Sequence, residues 1–166
     1  MTGPIIIEDY NALWPQQFEK IRARIAPSLG ELASAVEHVG STAVAGLAAK
    51  PIIDVDVLLK NAADLPLAIS KLAALGYQHE GDLGVPGREA FKAPYHDVPQ
   101  HLYICSPDSV EFSRHIAFRD FLRTRPEDAA AYSALKRKLA RQFHLDRDAY
   151  TEAKTDFIAD VLRRAG

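Results

Sequence analysis

Two aspartates stand inside an otherwise apolar run, PIIDVDVLL at residues 51–59. Thirteen residues before Asp54 comes a Gly-Ser pair, Gly40 and Ser41, in the stretch HVGSTA. Alternate residues of a strand point to opposite faces, so Ile53, Val55, Val57 and Leu59 share one face and Ile52, Asp54, Asp56 and Leu58 the other. Two strand steps of ~3.3 Å set the two carboxylates roughly 7 Å apart. Like charges this close repel and raise a carboxyl pKa unless a cation intervenes. A hard divalent cation wants carboxylate oxygens and brings the opposite charge. Read as packing alone, the segment is a half-exposed strand whose wet face carries two acids. Ile52 and Leu58 on that same face weigh against it, since a solvated face seldom begins and ends in large aliphatics.

The Gly-Ser pair supplies the other half of the chemistry. A glycine at a strand end lets backbone N–H groups approach a ligand closely. A helical turn starting at Ser41 would add free N–H groups and a favourable dipole for an anion. Further candidates surround this centre. His101, in the apolar segment HLYIC, reads as a metal ligand or general base, with an ordinary pKa of ~6.5 that suits proton transfer near neutrality. Equally, it reads as a structural histidine at a strand start. His38 reads as orienting the Gly-Ser turn. His79, His96, His115 and His144 show no metal-ligand spacing and read as surface or structural. Lys50 precedes the aspartate strand and Arg88 opens a later one, so either can hold a phosphate. Lys136 falls on the stripe Tyr132, Lys136, Leu139, Phe143, and Lys154 on Tyr150, Lys154, Phe157, Val161. Snorkelling of the ammonium to water is the expected outcome there; reaching across a cleft to a phosphate is the alternative. Arg119 and Arg123, at i and i+4, read as a solvated face with ion pairs to residues such as Glu127 or Asp120, with lining an anionic cleft as the alternative.

These side chains need elements to hold them. Ile5–Ile7 is a short β-prone run. Trp14, Phe18, Ile21, Ile25 and Leu29 make one face of a helix that Gly30 follows. Strands are expected at 35–39 and 52–59, joined by a connection rich in small residues. Pro66 opens a second helix that Gly76 stops. Strands are expected again at 77–80, 88–93 and 101–105, with loops GDLGVPG and APYHDVPQ between them. Three helices follow, at about 110–124, 126–144 and 148–165, with Asp146 and Asp148 as candidate N-caps for the last. The order predicts an α/β (α+β) chain: a mixed sheet with flanking helices and a helical C-terminal part. A single domain over 1–166 is expected, its α/β core spanning 1–108 and its helices 109–166.

Global composition excludes more than it assigns. The net charge of −2 gives no sign of a nucleic-acid or membrane partner. One cysteine, Cys105, rules out an intramolecular disulfide and reads as a small core residue. The N-terminal stretch lacks a basic region followed by a long apolar run, so a soluble cytoplasmic protein is expected.

The conjunction of strand, Gly-Ser, connection and D-x-D strand resembles the nucleotidyltransferase superfamily of polymerase-β-like enzymes. HVGSTAVAGLAAKPIIDVDV is similar, almost residue for residue, to the signature of the GrpB-like family within it. The likeness continues in HLYI, FRDFLR, AYSALKRKLA and DAYTEAKTDFIADVL, from about Tyr10 to Val161. The resemblance implies phosphate binding at Gly40 and Ser41 and Mg2+ (or Mn2+) binding at Asp54 and Asp56. It implies transfer of a nucleotidyl group from a nucleoside triphosphate to an unknown acceptor. Asp54, Asp56 and His101 are then the catalytic candidates, and Lys50, Arg88 and Lys136 join the phosphate site. Such enzymes usually carry a third carboxylate on a later strand. Here that strand offers His101 and Tyr103, while Asp82, Glu89 and Asp97 fall in or near loops. A nucleotide- or phosphate-binding accessory module of the same fold is therefore the alternative, and a metal-dependent hydrolase a third reading.

Overall fold

A computed structural model describes residues 3–166. Helix α1 (Trp14–Leu29) forms where the sequence places its apolar stripe, and Trp14, Phe18, Ile21, Ile25 and Leu29 are all buried. Gly30 ends it at φ +55°, a left-handed value that favours glycine. Strands β1 (Ala33–Val39) and β2 (Ile53–Leu59) follow, with a single 3-10 turn (Ser41–Ala43) after β1. Helix α2 (Leu65–Ala74) leads into β3 (Gln78–Gly81), β4 (Arg88–Lys92) and β5 (Gln100–Cys105). The five strands form one mixed sheet in the order β1-β2-β5-β4-β3. Only the central β2–β5 pair is parallel; the others are antiparallel.

The alternation in β2 sorts the sheet into two faces. Ile53, Val55, Val57 and Leu59 join Leu102, Ile104 and Phe91 against α1 and α2 in the main core. Each fully buried aliphatic there contributes about 1.5–3 kcal/mol. The opposite face carries Asp54 and Asp56, and the C-terminal helices lie over it: α3 (Val110–Arg123), α4 (Pro126–Gln142), α5 (Arg147–Ala153) and α6 (Thr155–Ala165). Val44 and Leu47, from the connection between β1 and β2, pack with Phe121, Leu122, Tyr132 and Val161. Among the described residues, no helix is long and apolar enough to cross a membrane.

Two sequence expectations fail locally. Ile5–Ile7 is not a strand: the Ile5 N–H donates to the His144 carbonyl at 2.9 Å, the neighbouring Glu8 makes an isolated bridge with Ala49, and Ile5 is buried beside Leu139, Ala140 and Tyr150. The expected last helix breaks in two at Lys154. Its apolar stripe serves two clusters, with Tyr150 packed in one and Val161 in the other. A straight helix would have to face both at once, and the break removes that conflict. It also sets Lys154 at the junction.

Candidate functional site

The parallel register sets Asp54 beside His101 and Asp56 beside Tyr103. His101 Nδ1 lies 2.9 Å from Asp54 Oδ1. Asp56 is fully buried, 0 % exposed. Its Oδ2 lies 2.6 Å from His115 Nδ1, and its Oδ1 is buried without a hydrogen-bond partner. Burial raises the Asp56 carboxyl above its ordinary value, and the His115 hydrogen bond offsets part of that. For His115, burial alone would lower the pKa, but the bond to Asp56 and its charge outweigh it and raise the ring. His115 is the site residue that sequence reasoning missed, because 59 positions separate it from Asp56. A faint signal exists: His115, Phe118 and Leu122 follow three-four spacing, which puts the ring on the inner face of α3.

Gly40 closes the other side. Its φ is +75°, and a Cβ built there would lie 3.0 Å from Asp54 Cγ and overlap Oδ2. Only glycine brings the chain this near the carboxylate without strain. The turn from Ser41 is one 3-10 turn, not the start of a helix, so the expected helix dipole is absent. Instead the turn is braced by side chains. His38 Nε2 lies 2.8 Å from Thr42 Oγ1, and its ring stacks on Phe18. Burial pushes His38 down to about 4, which keeps it neutral near pH 7. Arg119 Nη1 donates to Glu37 Oε2 (2.8 Å) and to the His38 carbonyl (3.0 Å). Arg123 Nε donates to the Ala43 carbonyl at 2.9 Å. The expected ion pair of Arg119 with Asp120 is present, at 2.9 Å, but the expected solvated face is corrected. Arg119 is 8 % exposed and, with Arg123, ties α3 to both sides of the Gly40-Ser41 turn.

A cleft of about 220 Å³ opens beside Ser41 and Asp54, and Lys50, Lys136, Lys154 and His101 line it. Lys136 does not snorkel: it is 2 % exposed, and its Nζ has no hydrogen-bond partner. Stripe geometry located it, but its ammonium lies over the Tyr132 ring at the wall of the cleft instead of reaching out to bulk water. Burial, then the neighbouring Lys154 and Lys50, pushes it down to about 7. Burial, then Lys50, pushes Lys154 down to about 8, and burial lowers Lys50 as well. Arg88 sits apart on β4. Its guanidinium lies 4.2 Å from the Tyr103 ring centroid, and it does not line the cleft. A second cavity of about 510 Å³ adjoins across Ser41, Asp54 and Lys154, with Tyr103, His115, Phe118 and Tyr132 among its walls.

No third carboxylate joins Asp54 and Asp56 from the loops. Asp97 pairs with Arg24, Glu89 with His79, and Asp82 accepts from the Gly84 N–H within its own turn. Among the described residues, no three His, Cys, Asp or Glu side chains are grouped to hold a metal ion. The pair nevertheless fits magnesium. That ion commonly takes one or two carboxylates and fills its octahedron with water and substrate phosphates. The orphaned, desolvated Asp56 Oδ1 is an oxygen that a cation would satisfy.

Comparison with known proteins gives four findings. The profile of the family described as GrpB protein matches residues 4–164. The UPF0157 protein BH1888 of Halalkalibacterium halodurans is 35 % identical over 99 % of this chain and 84 % of its own length. The crystal structure of the conserved protein GrpB from Enterococcus faecalis superposes with a TM-score of 0.87 at 34 % identity, covering 96 % of each chain. A dephospho-CoA kinase of Mycolicibacterium paratuberculosis is 28 % identical over 98 % of this chain, which corresponds to 46 % of that longer protein.

Proposed function

The chain belongs to the GrpB family, and from that premise we propose that it is a magnesium-dependent nucleotidyltransferase acting on a nucleoside triphosphate. The observation that carries this reading is the Gly40-Ser41 turn pressed onto Asp54, beside a partnerless Asp56 oxygen and at the mouth of a lysine-lined cleft. A phosphate chain has cations and a hydroxyl to meet there, and the carboxylates have a reason to be buried. Asp54 and Asp56 would hold Mg2+ (or Mn2+), which when bound supplies Lewis-acid stabilisation of charge on the transferring group. Ser41 and the Gly40 backbone grip the phosphates. His101 orients Asp54 through its Nδ1 contact and presents its ring to the cleft. In the overall reaction an acceptor oxygen attacks the α-phosphorus, the bond to the bridging oxygen breaks, and pyrophosphate leaves. The acceptor hydroxyl's proton passes to a base or to water.

A second reading has its own support. Both aspartates are already engaged by histidines, and among the described residues no third acid is grouped with them to hold a metal: Glu111 approaches His115, at 3.7 Å, on the side away from Asp56 Oδ2's partner nitrogen. A nucleotide- or phosphate-binding accessory module of the same fold accommodates this. The likeness to part of a dephospho-CoA kinase suits a module that works beside another catalytic unit.

Calorimetry with a nucleotide panel, with and without magnesium, tests the proposal, followed by a pyrophosphate-release assay over a panel of candidate acceptors. The expected result is magnesium-dependent binding of a nucleoside triphosphate, weakened at least about tenfold in Asp54→Asn, with pyrophosphate released. Failure of every nucleotide to bind would sink the proposal. Binding without any pyrophosphate release would favour the accessory module.

A further inference from the structure

Two side-chain atoms in the 220 Å³ cleft are buried without a hydrogen-bond partner, Lys136 Nζ and Tyr150 Oη. Their residues are 2 % and 0 % exposed. They come from different elements, α4 and α5, and line one chamber. Lys50 and Lys154 stand over the Tyr150 ring, with Nζ 5.1 and 4.5 Å from its centroid. Lys136 Nζ lies 4.5 Å from the centroid of Tyr132. Asp54 is the only carboxylate among the described residues that line the cleft, and His101 pairs with it at 2.9 Å. No protein anion is left for the three amino groups. Aromatic faces attract ammonium ions more weakly than the water they have given up. Water can bond to either orphaned atom, but it brings no charge.

An amine in this setting is a nucleophile. Burial, then the Lys154 and Lys50 charges, pushes Lys136 down to about 7, so about half of it is free amine at pH 7. A desolvated lysine beside other cations is an activated amine. The surroundings select what it reacts with. An imine or an amide at Nζ would leave Lys50 and Lys154 without a counter-ion. An adduct that itself carries a negative charge supplies one between them. The reagent must also be small, since the chamber holds only several waters at roughly 30 Å³ each. Carbon dioxide meets both conditions.

We propose that Lys136 is a reversible carbon dioxide site, whose Nζ forms a carbamate held by Lys50, Lys154 and the Tyr150 hydroxyl. The amine lone pair attacks the carbon, a C–N bond forms, and one C=O π pair moves onto oxygen. One N–H proton passes to water. The amine and carbon dioxide thus become a carbamate and a proton, with nothing oxidised or reduced. The carbamate accepts from the two ammonium groups and from the Tyr150 O–H, which has no acceptor in the protein. Return of the proton to nitrogen expels carbon dioxide. The product gives the cleft a carboxylate that the sequence does not encode. This goes beyond the nucleotidyltransferase reading and does not rest on it. A nucleotide's terminal phosphates would need the same cations, so carbamate and nucleotide occupy the cleft in turn.

The test is carbon-13 NMR of the whole chain in buffer with isotope-labelled bicarbonate, without nucleotide or divalent cation. A carbamate resonance should appear that is lost in Lys136→Met. It should persist in Lys138→Met, which removes a lysine from the exposed side of α4. Lys154→Met and Tyr150→Phe should each raise the carbon dioxide concentration for half-occupancy at least about tenfold, in line with loss of a donor to an anion. Trapping the wild type with a trialkyloxonium salt, followed by peptide mass spectrometry, should find the alkylated carboxyl on Lys136. No resonance at saturating bicarbonate, or one of equal intensity in Lys136→Met, would overturn the proposal. So would Lys154→Met and Tyr150→Phe variants that take up carbon dioxide as the wild type does. With no nucleotide present, this outcome and that of the nucleotide calorimetry are independent.

Discussion

Lys136 is a costly residue to fold around. Its ammonium is buried, unpartnered and pushed down to about 7. Replacing a buried ion with an apolar side chain of similar shape often stabilises by 1–4 kcal/mol. Lys136→Met should therefore raise stability in the absence of ligand, by roughly 1–3 kcal/mol, in denaturant melts. The sign of the pH dependence follows from the same shift. Between about 7 and the ordinary lysine value of 10.5, the folded state binds fewer protons at this site than the unfolded chain. The wild type should therefore gain stability as pH rises through that window, with the burial penalty complete below it. In Lys136→Met that part of the gain should disappear, leaving the contributions of Lys154, lowered to about 8, and of Lys50, which burial also lowers. Melts at about pH 7 and about pH 9.5 measure both effects. A Met variant less stable than the wild type, or one with an unchanged pH slope, would contradict this account of the lysine.

At the scale of elements, the functional unit is a turn clamped by its neighbours. β1 supplies Glu37 and His38, α3 supplies Arg119 and Arg123, and β2 brings Asp54 up beneath Gly40. The clamp makes Gly40 and Gly46 an informative pair. Both have positive φ, at +75° and +84°. Around Gly46 a Cβ would meet nothing within 4 Å, whereas at Gly40 it would collide with Asp54. Gly46→Ala should cost only the left-handed strain, about 1–2 kcal/mol. Gly40→Ala should cost about 2 kcal/mol more, because the turn or the carboxylate has to move. It should also lose magnesium-dependent nucleotide binding, which Gly46→Ala should keep. Denaturant melts and calorimetry on the two variants decide it, and equal behaviour would remove the close approach from the argument. The break at Lys154 belongs to this scale as well. It lets one apolar stripe serve two clusters and leaves a lysine aimed at the cleft between them.

Across the whole molecule, the sheet divides labour between a dry face and a chemical one. That division was legible in IIDVDVLL, since period-2 alternation puts four aliphatics on one side and two acids on the other. The α1 stripe, the strand spans and the Gly40-Ser41 turn were legible for the same local reasons. What stayed hidden depends on long-range packing. No spacing links His115 to Asp56, or Arg119 and Arg123 to the turn they brace, and β-prone Ile5–Ile7 lacks a partner strand. Lys136 could be placed on the inner stripe, but its burial depends on helices that meet only in the folded chain. The proposed site joins both kinds of residue: a metal on Asp54 and Asp56, and a phosphate chain running from Ser41 towards the lysines. Crystals grown with Mn2+ and a non-hydrolysable nucleoside triphosphate, with data collected to locate manganese by anomalous scattering, test it most directly. A manganese peak coordinated by both aspartates is expected, with terminal phosphates against Ser41, Lys136 and Lys154. A cleft without manganese, with Asp56 still bonded to His115 and the nucleotide absent or bound elsewhere, would contradict it.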